Sequence, residues 1–321
     1  MTQWMRRRGG LLGLTLAVAL VAAACGGNDD SGTTGGGGTQ LSGTINIDGS
    51  STVAPLSEAA AELFQEQNSG VRVTVGTSGT GGGFEKFCAG ETDISDASRA
   101  IEADETKACQ SKGIKYEEVQ VANDGLSVVV NNQNTWANCL TIAQLKKIWD
   151  KGSKVDNWNQ VDPSFPNEPL KLFGAGTDSG TFDYFTNAIN GEEGRSRSDY
   201  SATEDDNVTV TGVSGTTGGL GYFGLSYLQE NQGKIKGVQV DGGGGCVTPT
   251  VETVQDGSYK PLSRPLFIYP SDKALERPEV KAFLEFYVNN YQKIAEDALF
   301  VPLTEEQAAE AKAKITQLAT S

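Results

Sequence analysis

The sequence predicts an α/β protein built as two lobes, and three observations predict it. Apolar stretches of strand length alternate with amphipathic stretches of helical period along the chain. Four of the junctions between a strand and the following helix are turns made of Ser, Thr and Gly. Setting the first 24 residues aside leaves 297 of 321, too many for one small core.

Those first residues read as a secretory signal. Arg6, Arg7 and Arg8 precede an apolar run from Leu11 to Ala24, which is too short for a membrane span and ends in small residues. Ala22-Ala23-Ala24-Cys25 approximates a lipobox, so Cys25 is the expected lipidation site and first mature residue. Residues 25–42, rich in Gly, Ser and Thr, then form a flexible leash. The protein is expected outside the cytoplasm, anchored to the cell membrane by lipid.

The first lobe opens with a strand at Thr44–Ile47 that runs into Asp48-Gly49-Ser50-Ser51-Thr52 and a helix over Ala54–Gln67. Leu56, Ala60, Leu63 and Phe64 give that helix its apolar face, and Asn68-Ser69-Gly70 ends it. Ser51 and Thr52 therefore sit where the first helical N–H groups lack partners, a natural place for an anion. The pattern repeats. Strand Val71–Val75 enters Gly76-Thr77-Ser78-Gly79-Thr80-Gly81-Gly82-Gly83, followed by a short helix bearing Phe84 and Phe87 and closed by Gly90. No Gly-Lys-Ser/Thr ends this loop, so it is not a nucleotide P-loop. A third turn, Asp93 to Arg99, carries Ser95, Ser98 and an arginine whose planar fork suits a tetrahedral oxyanion.

Leu126–Asn131 is apolar nearly throughout and reads as the buried centre of a parallel sheet, opening the second lobe. Thr141 to Gln144 fits a capping box before a helix with Ile142, Leu145, Ile148 and Trp149 on one stripe. Trp158–Pro169, with three prolines, reads as a loop. Strand Leu170–Phe173 delivers the fourth turn, Gly174 to Thr181, and a helix with Phe182, Phe185 and Ile189. Glu192–Asp206 reads as a solvated excursion, Val208–Val210 as a strand, Gly218–Tyr222 as a glycine turn and Leu225–Glu230 as a helix. Asp241–Gly245 is expected to cross back to the first lobe. A strand at Leu266–Tyr269 and helices at Pro278–Tyr291 and Thr304–Leu318 close the chain. The lobes are thus expected at 43–122 with 243–321, and at 123–242.

Composition removes several function classes. Loss of the signal, with three arginines and no acids, takes the net charge from −15 to −18, which argues against nucleic acid as a partner. With no histidine, Ser-His-Asp and Cys-His catalysis and histidine metal sites are excluded; no metal or cofactor is expected. Four cysteines besides Cys25, in an oxidising compartment and without zinc-like spacing, are most economically two disulfides. The pairing assigned is Cys88–Cys109 and Cys139–Cys246.

Taken in order, Gly49-Ser50-Ser51-Thr52-Val53, Ser78-Gly79-Thr80-Gly81-Gly82-Gly83-Phe84, Ala97-Ser98-Arg99 and Asp178-Ser179-Gly180-Thr181-Phe182 resemble the PstS family, the phosphate-binding subunit of the phosphate ABC transporter. The likeness runs from about Gly43 to Leu303. It implies a type II periplasmic-binding-protein fold, in which two α/β lobes joined by two crossing segments close over one inorganic phosphate, with membrane permease subunits as partners. It also implies phosphate ligands: Ser51 and Thr52 from the first turn, Ser78 and Thr80 from the second, Ser98 and Arg99 from the third, and Ser179, Gly180 and Thr181 from the fourth. Some family members carry an aspartate at the position of Arg99 and an arginine just before the fourth turn, where this chain has Gly174-Ala175-Gly176. The cation has moved between lobes, with Arg264 in Ser263-Arg264-Pro265 as the alternative to Arg99.

A phosphate receptor needs one acceptor for the ligand's proton, which sulfate does not carry. Asp178 is the expected acceptor, with Asp48, Asp96 and Asp206 behind it. A phosphatase using Ser51 or Ser179 as nucleophile is the rival; it would lack histidine, a metal cluster and a lysine beside either serine. A phosphate sensor on the same fold, or a receptor for sulfate or molybdate, are further alternatives.

Overall fold

Residues 40–177 and 179–320 are described by the structure, a computed structural model. The signal segment, Cys25 and nearly all of the leash fall outside the described residues, and so does Asp178. No described helix is long and apolar enough to cross a membrane.

In chain order the strands are β1 (Gly43–Gly49), β2 (Val71–Gly76), β3 (Ile94–Ala97), β4 (Val119–Asn131), β5 (Cys139–Thr141) and β6 (Lys171–Ala175). They continue as β7 (Ser201–Thr203), β8 (Gly219–Gly224), β9 (Ile235–Gly237), β10 (Gln239–Asp241), β11 (Cys246–Val247) and β12 (Ser263–Pro270). One sheet runs β2-β1-β3-β12-β4-β8-β6-β7, with β9 also paired to β4; β11-β10-β5 form a small second sheet. β2, β1 and β3 are parallel, and so are β8, β6 and β7. Between these blocks lie β12 and β4, antiparallel to each other, with β12 antiparallel to β3 on one side and β4 antiparallel to β8 on the other. Helices fill the connections of the parallel blocks, β1 to β2, β2 to β3 and β6 to β7 to β8.

Two cores result. One gathers Ile45, Leu56, Phe64, Val121, Ala122, Leu266, Phe283 and Ile315; the other gathers Leu126, Val128, Trp149, Phe185, Tyr222, Tyr259 and Leu262. β4 leaves the first core at Ala122 and enters the second at Leu126, while the chain passes from the second core at Leu262, just before β12, to the first at Leu266 within it. This is the two-lobe periplasmic-binding fold, with β4 and β12 as the crossing segments. A smaller cluster of Phe84, Phe87, Phe267 and Tyr269 surrounds the Cys88–Cys109 disulfide, and Cys139–Cys246 ties β5 to β11.

Where expectation and structure agree, local chemistry explains it. The helices at Ala54–Gln67 and Leu225–Glu230 have the expected bounds, Pro55 sitting in the first turn of the former. The Thr141/Gln144 and Thr304/Gln307 capping boxes both form, opening helices Ile142–Trp149 and Glu305–Leu318.

Six expectations are corrected. Leu126–Asn131 is a central buried strand, yet its partners β8 and β9 are antiparallel; an apolar run reports burial on both faces, not the direction of the neighbours. Val208–Val210 lies inside a helix, Asp206–Ser214, because Asp205 caps Asn207 N and the buried positions Thr209, Val210 and Val213 follow helical spacing. Gly219–Gly224 is strand β8, not a turn. Its glycines let that helix lie against the sheet: a Cβ on Gly221 would stand 2.9 Å from Val213 Cγ2.

Asp241–Gly245 does not cross between lobes. It is the loop joining β10 to β11, held by Asp241 Oδ1 accepting from Gly243 N and Gly245 N. The polar segments also contain structure that composition conceals. Trp158–Val161 is a helical turn whose buried Trp158 donates to Gly218 O. Within 192–206, Arg197 is buried and donates to Ile148 O and Val155 O, and β7 extends the sheet edge.

Candidate functional site

The carboxyl ends of β1, β2, β3 and β6 carry the four small-residue turns, and a cavity of about 420 Å³ lies among them. Ser50, Ser51 and Thr52 line it from the first turn, Gly79, Thr80 and Gly81 from the second, Ser98 and Arg99 from the third, and Gly180 from the fourth. The helix after the fourth turn adds Asp183, Tyr184 and Asn187; Glu193 and Arg264 complete the wall.

Each turn is fixed by its own hydrogen bonds. Ser50 is buried and its Oγ accepts from Thr52 N at 3.2 Å, while Ser50 N donates to Asp96 O. The first turn therefore leans on the end of β3 and presents Ser51 and Thr52 outward. Thr80 Oγ1 lies 3.1 Å from Ser98 Oγ and accepts from Ser98 N, so the second and third turns meet through their hydroxyls. In the fourth turn, Ser179 Oγ accepts from Thr181 N at 3.1 Å, capping helix Gly180–Phe185. That helix is anchored from behind. Phe185 stacks on Tyr222 at 3.8 Å, and Trp149 meets both edge-on.

Of the residues expected at the site, Ser51, Thr52, Thr80, Ser98, Arg99 and Gly180 come together. Three others do different things. Ser78 turns away to Asp48, whose carboxylate accepts from both its N–H and its hydroxyl and pairs with Lys86 Nζ at 2.6 Å. Ser179 is the cap just described. Thr181 lines a neighbouring cavity of about 180 Å³ with Asp124 and Asp206.

The alternative acceptors are all elsewhere. Asp48 is occupied by Ser78 and Lys86; although burial works against it, these bonds hold its carboxyl below the usual range. Asp96 is fully buried beneath the first turn, and desolvation pushes it up to about 8 against the bond from Ser57. Asp206, pushed up to about 6 by burial and then by Asp205 and Glu204, faces the smaller cavity. Among the described residues, the carboxylates that line the main cavity are Asp183 and Glu193. Asp183 is raised by burial first and by Glu193 second, with Arg264 acting in the opposite direction.

The two arginines differ. Arg99 forms a two-pronged pair with Glu105, both contacts 2.8 Å, and also donates to Ala100 O. Arg264 pairs through Nε with Asp124 at 3.1 Å, donates from Nη2 to Thr52 Oγ1 at 3.2 Å, and lies 3.7 Å over the Tyr184 ring. Tyr184 OH donates to Pro261 O.

Sequence reading missed Asp183, Tyr184, Asn187 and Glu193. A signal for the first three existed: with Gly180 they recur at helical spacing opposite the apolar Phe182 and Phe185. Glu193 had none, since nothing in a charged segment marks which acid turns inward. Among the described residues, no cluster of three or more acids or cysteines could hold a metal ion.

Residues 34–290 match the family described as a PBP superfamily domain. The chain is 51% identical over 262 residues to protein SphX of Synechococcus elongatus, covering 81% of this chain and 77% of that one. It is 41% identical over 280 residues to the phosphate-binding protein PstS of Staphylococcus saprophyticus, covering 86% and 85%. Among solved structures, a possible phosphate binding protein from Planctomyces limnophilus aligns with a TM-score of 0.83 at 47% identity, over 87% of this chain and 99% of that one. An ABC-type phosphate transport receptor from Vibrio cholerae aligns at 0.66 and 23% identity, over 81% and 99%, a likeness of fold. With this sequence similarity spanning most of the chain, and with the two-lobe fold and its four small-residue turns, the chain belongs to the PstS family.

Proposed function

We propose that the protein binds one inorganic phosphate in the cleft between its lobes, outside the cytoplasmic membrane, and delivers it to the permease of an ABC transporter. The observation that carries this reading is the convergence of Ser51, Thr52, Thr80, Ser98 and Gly180 from four separate turns onto one cavity. Hydroxyls and helix-end amides are the donors a small polyvalent oxyanion needs, and four independent caps would have no reason to meet. Ser179 and Thr181 act here through the helix terminus they build, and Ser78 through Asp48. At roughly 1.5–3 kcal/mol for each charge-assisted bond, a full set of donors supports micromolar or tighter binding after ordering costs.

The lobes are taken as 43–122 with the chain after β12 begins, and 123–262, following the two cores. Anchorage by a lipid at Cys25 would keep the receptor beside its permease, since none of the described helices is long and apolar enough to cross the membrane. The reading is of binding without chemistry: Ser179, one of the two serines weighed as a nucleophile, accepts from Thr181 N as the cap of its helix. Asp183 supplies the acceptor for the ligand's proton within the described cavity. Calorimetric titration of the mature protein tests the reading. Phosphate should bind at micromolar concentration or below and sulfate at least a thousandfold more weakly; comparable affinities would refute it.

A further inference from the structure

Two arginines line the cleft, and we infer that Arg264, carried on the crossing strand, makes the cationic contact to the ligand, while Arg99 is a structural residue. This inference rests on the phosphate reading above. A guanidinium has five N–H groups in a planar fork. Arg99 commits both terminal nitrogens to Glu105 and one of them also to Ala100 O, with Glu102 3.5 Å from its Nε. Its charge is matched by a carboxylate in fork-to-fork geometry, the arrangement that leaves least for a third party.

Arg264 uses Nε for Asp124 and one N–H of Nη2 for Thr52, and no described acceptor takes either N–H of Nη1. Its contact with Asp124 is single rather than forked. Stacking on Tyr184 fixes the plane of the guanidinium without consuming a donor, so the remaining N–H groups are oriented in advance. Its side chain is also the better shielded of the two, 18% exposed against 37% for Arg99, so its charge is less screened.

The placement adds a second role. Arg264 and Asp124 are direct partners in the pairing of β12 with β4, within the stretch where both strands pass between the cores. From that position the guanidinium touches Thr52 of the first lobe and Tyr184 of the second. An anion held by Arg264 is therefore held by the crossing segment, and the contacts that orient the cation are complete only when both lobes are against it. Ligand affinity and lobe closure are coupled through this one side chain.

Phosphate calorimetry on the mature protein and its variants tests the assignment. Arg264→Gln should weaken binding by about a hundredfold, and Arg264→Lys should recover only part, since it keeps the charge and loses the fork and the stack. Arg99→Gln should weaken binding by less than about tenfold, the loss expected when a cavity wall relaxes but no ligand contact disappears. Because Arg264→Gln strands Asp124 as a buried unpaired carboxylate, the double variant Asp124→Asn/Arg264→Gln is measured with it and should show the same loss while remaining folded. Near-normal affinity in that double variant, or a larger loss in Arg99→Gln than in Arg264→Gln, overturns the inference and leaves the phosphate reading standing. A wild-type protein that fails to bind phosphate overturns both.

Discussion

Gly180 and Thr52, which come from opposite lobes, meet so closely that a Cβ on Gly180 would lie 2.7 Å from Thr52 Oγ1. The contact divides the main cavity from the smaller one beside it, since Gly180 and Thr52 line the first while Thr181 and Pro55 line the second. An alanine at Gly180 would displace Thr52 Oγ1, the atom that accepts from Arg264 Nη2. Overpacking of this kind costs about 1–3 kcal/mol, and here the cost falls on the closed arrangement alone. Gly180→Ala should therefore weaken phosphate binding by about tenfold or more and change unfolding stability little. Calorimetry paired with chemical denaturation distinguishes this from a general loss of fold.

The buried Asp96 gives a pH prediction. Its carboxyl, pushed up to about 8 by burial, keeps its proton in the folded protein where the unfolded chain has already lost it. Between the ordinary aspartate value near 3.8 and about 8, the folded state binds one more proton, so stability falls as pH rises, by about 1.4 kcal/mol per unit from this group. Asp96→Asn removes that slope. Denaturation midpoints at pH 5, 6 and 7 should fall in the wild type relative to the variant, and parallel curves would contradict the assignment.

Selectivity should follow the Asp183 carboxylate, which stands on the cavity wall with Glu193. Asp183→Asn is expected to narrow the preference for phosphate over sulfate by at least about tenfold, because the neutral amide no longer repels a fully ionised anion and no longer accepts the phosphate proton as well. Asp178→Asn is the comparison. A ratio that collapses in Asp178→Asn but survives in Asp183→Asn assigns the acceptor to Asp178.

Much of this was legible from residues, and the limits have physical causes. The four turns could be read because Ser, Thr and Gly between an apolar strand and a helix have few other uses. Capping boxes at Thr141 and Thr304 could be read because donor and acceptor are three residues apart. The direction of β4's neighbours could not, since burial on both faces gives the same apolar run in either orientation. Nor could the commitments of the arginines. Glu105 lies six residues beyond Arg99, and Asp124 lies 140 residues before Arg264, where only tertiary pairing brings them together. Val208–Val210 misled because β-branched residues favour strands weakly, and the cap at Asp205 with one buried face outweighed that preference.

The Cys139–Cys246 disulfide closes a separation of 107 residues within the second lobe and ties its small sheet together. Replacing both cysteines by serine should lower stability by about 2–5 kcal/mol. Neither cysteine lines the cleft, so phosphate affinity measured well below the new unfolding midpoint should stay within a few-fold of the wild type.

A crystal structure of the mature protein with phosphate tests the central claim most directly. One anion should lie in the cavity between the lobes, within hydrogen-bonding distance of the hydroxyls of Ser51 or Thr52, of Thr80 and Ser98, and of the Arg264 guanidinium, with the Gly180 helix end facing it. A phosphate bound away from these four turns, or a cleft that stays empty at millimolar phosphate, would contradict it.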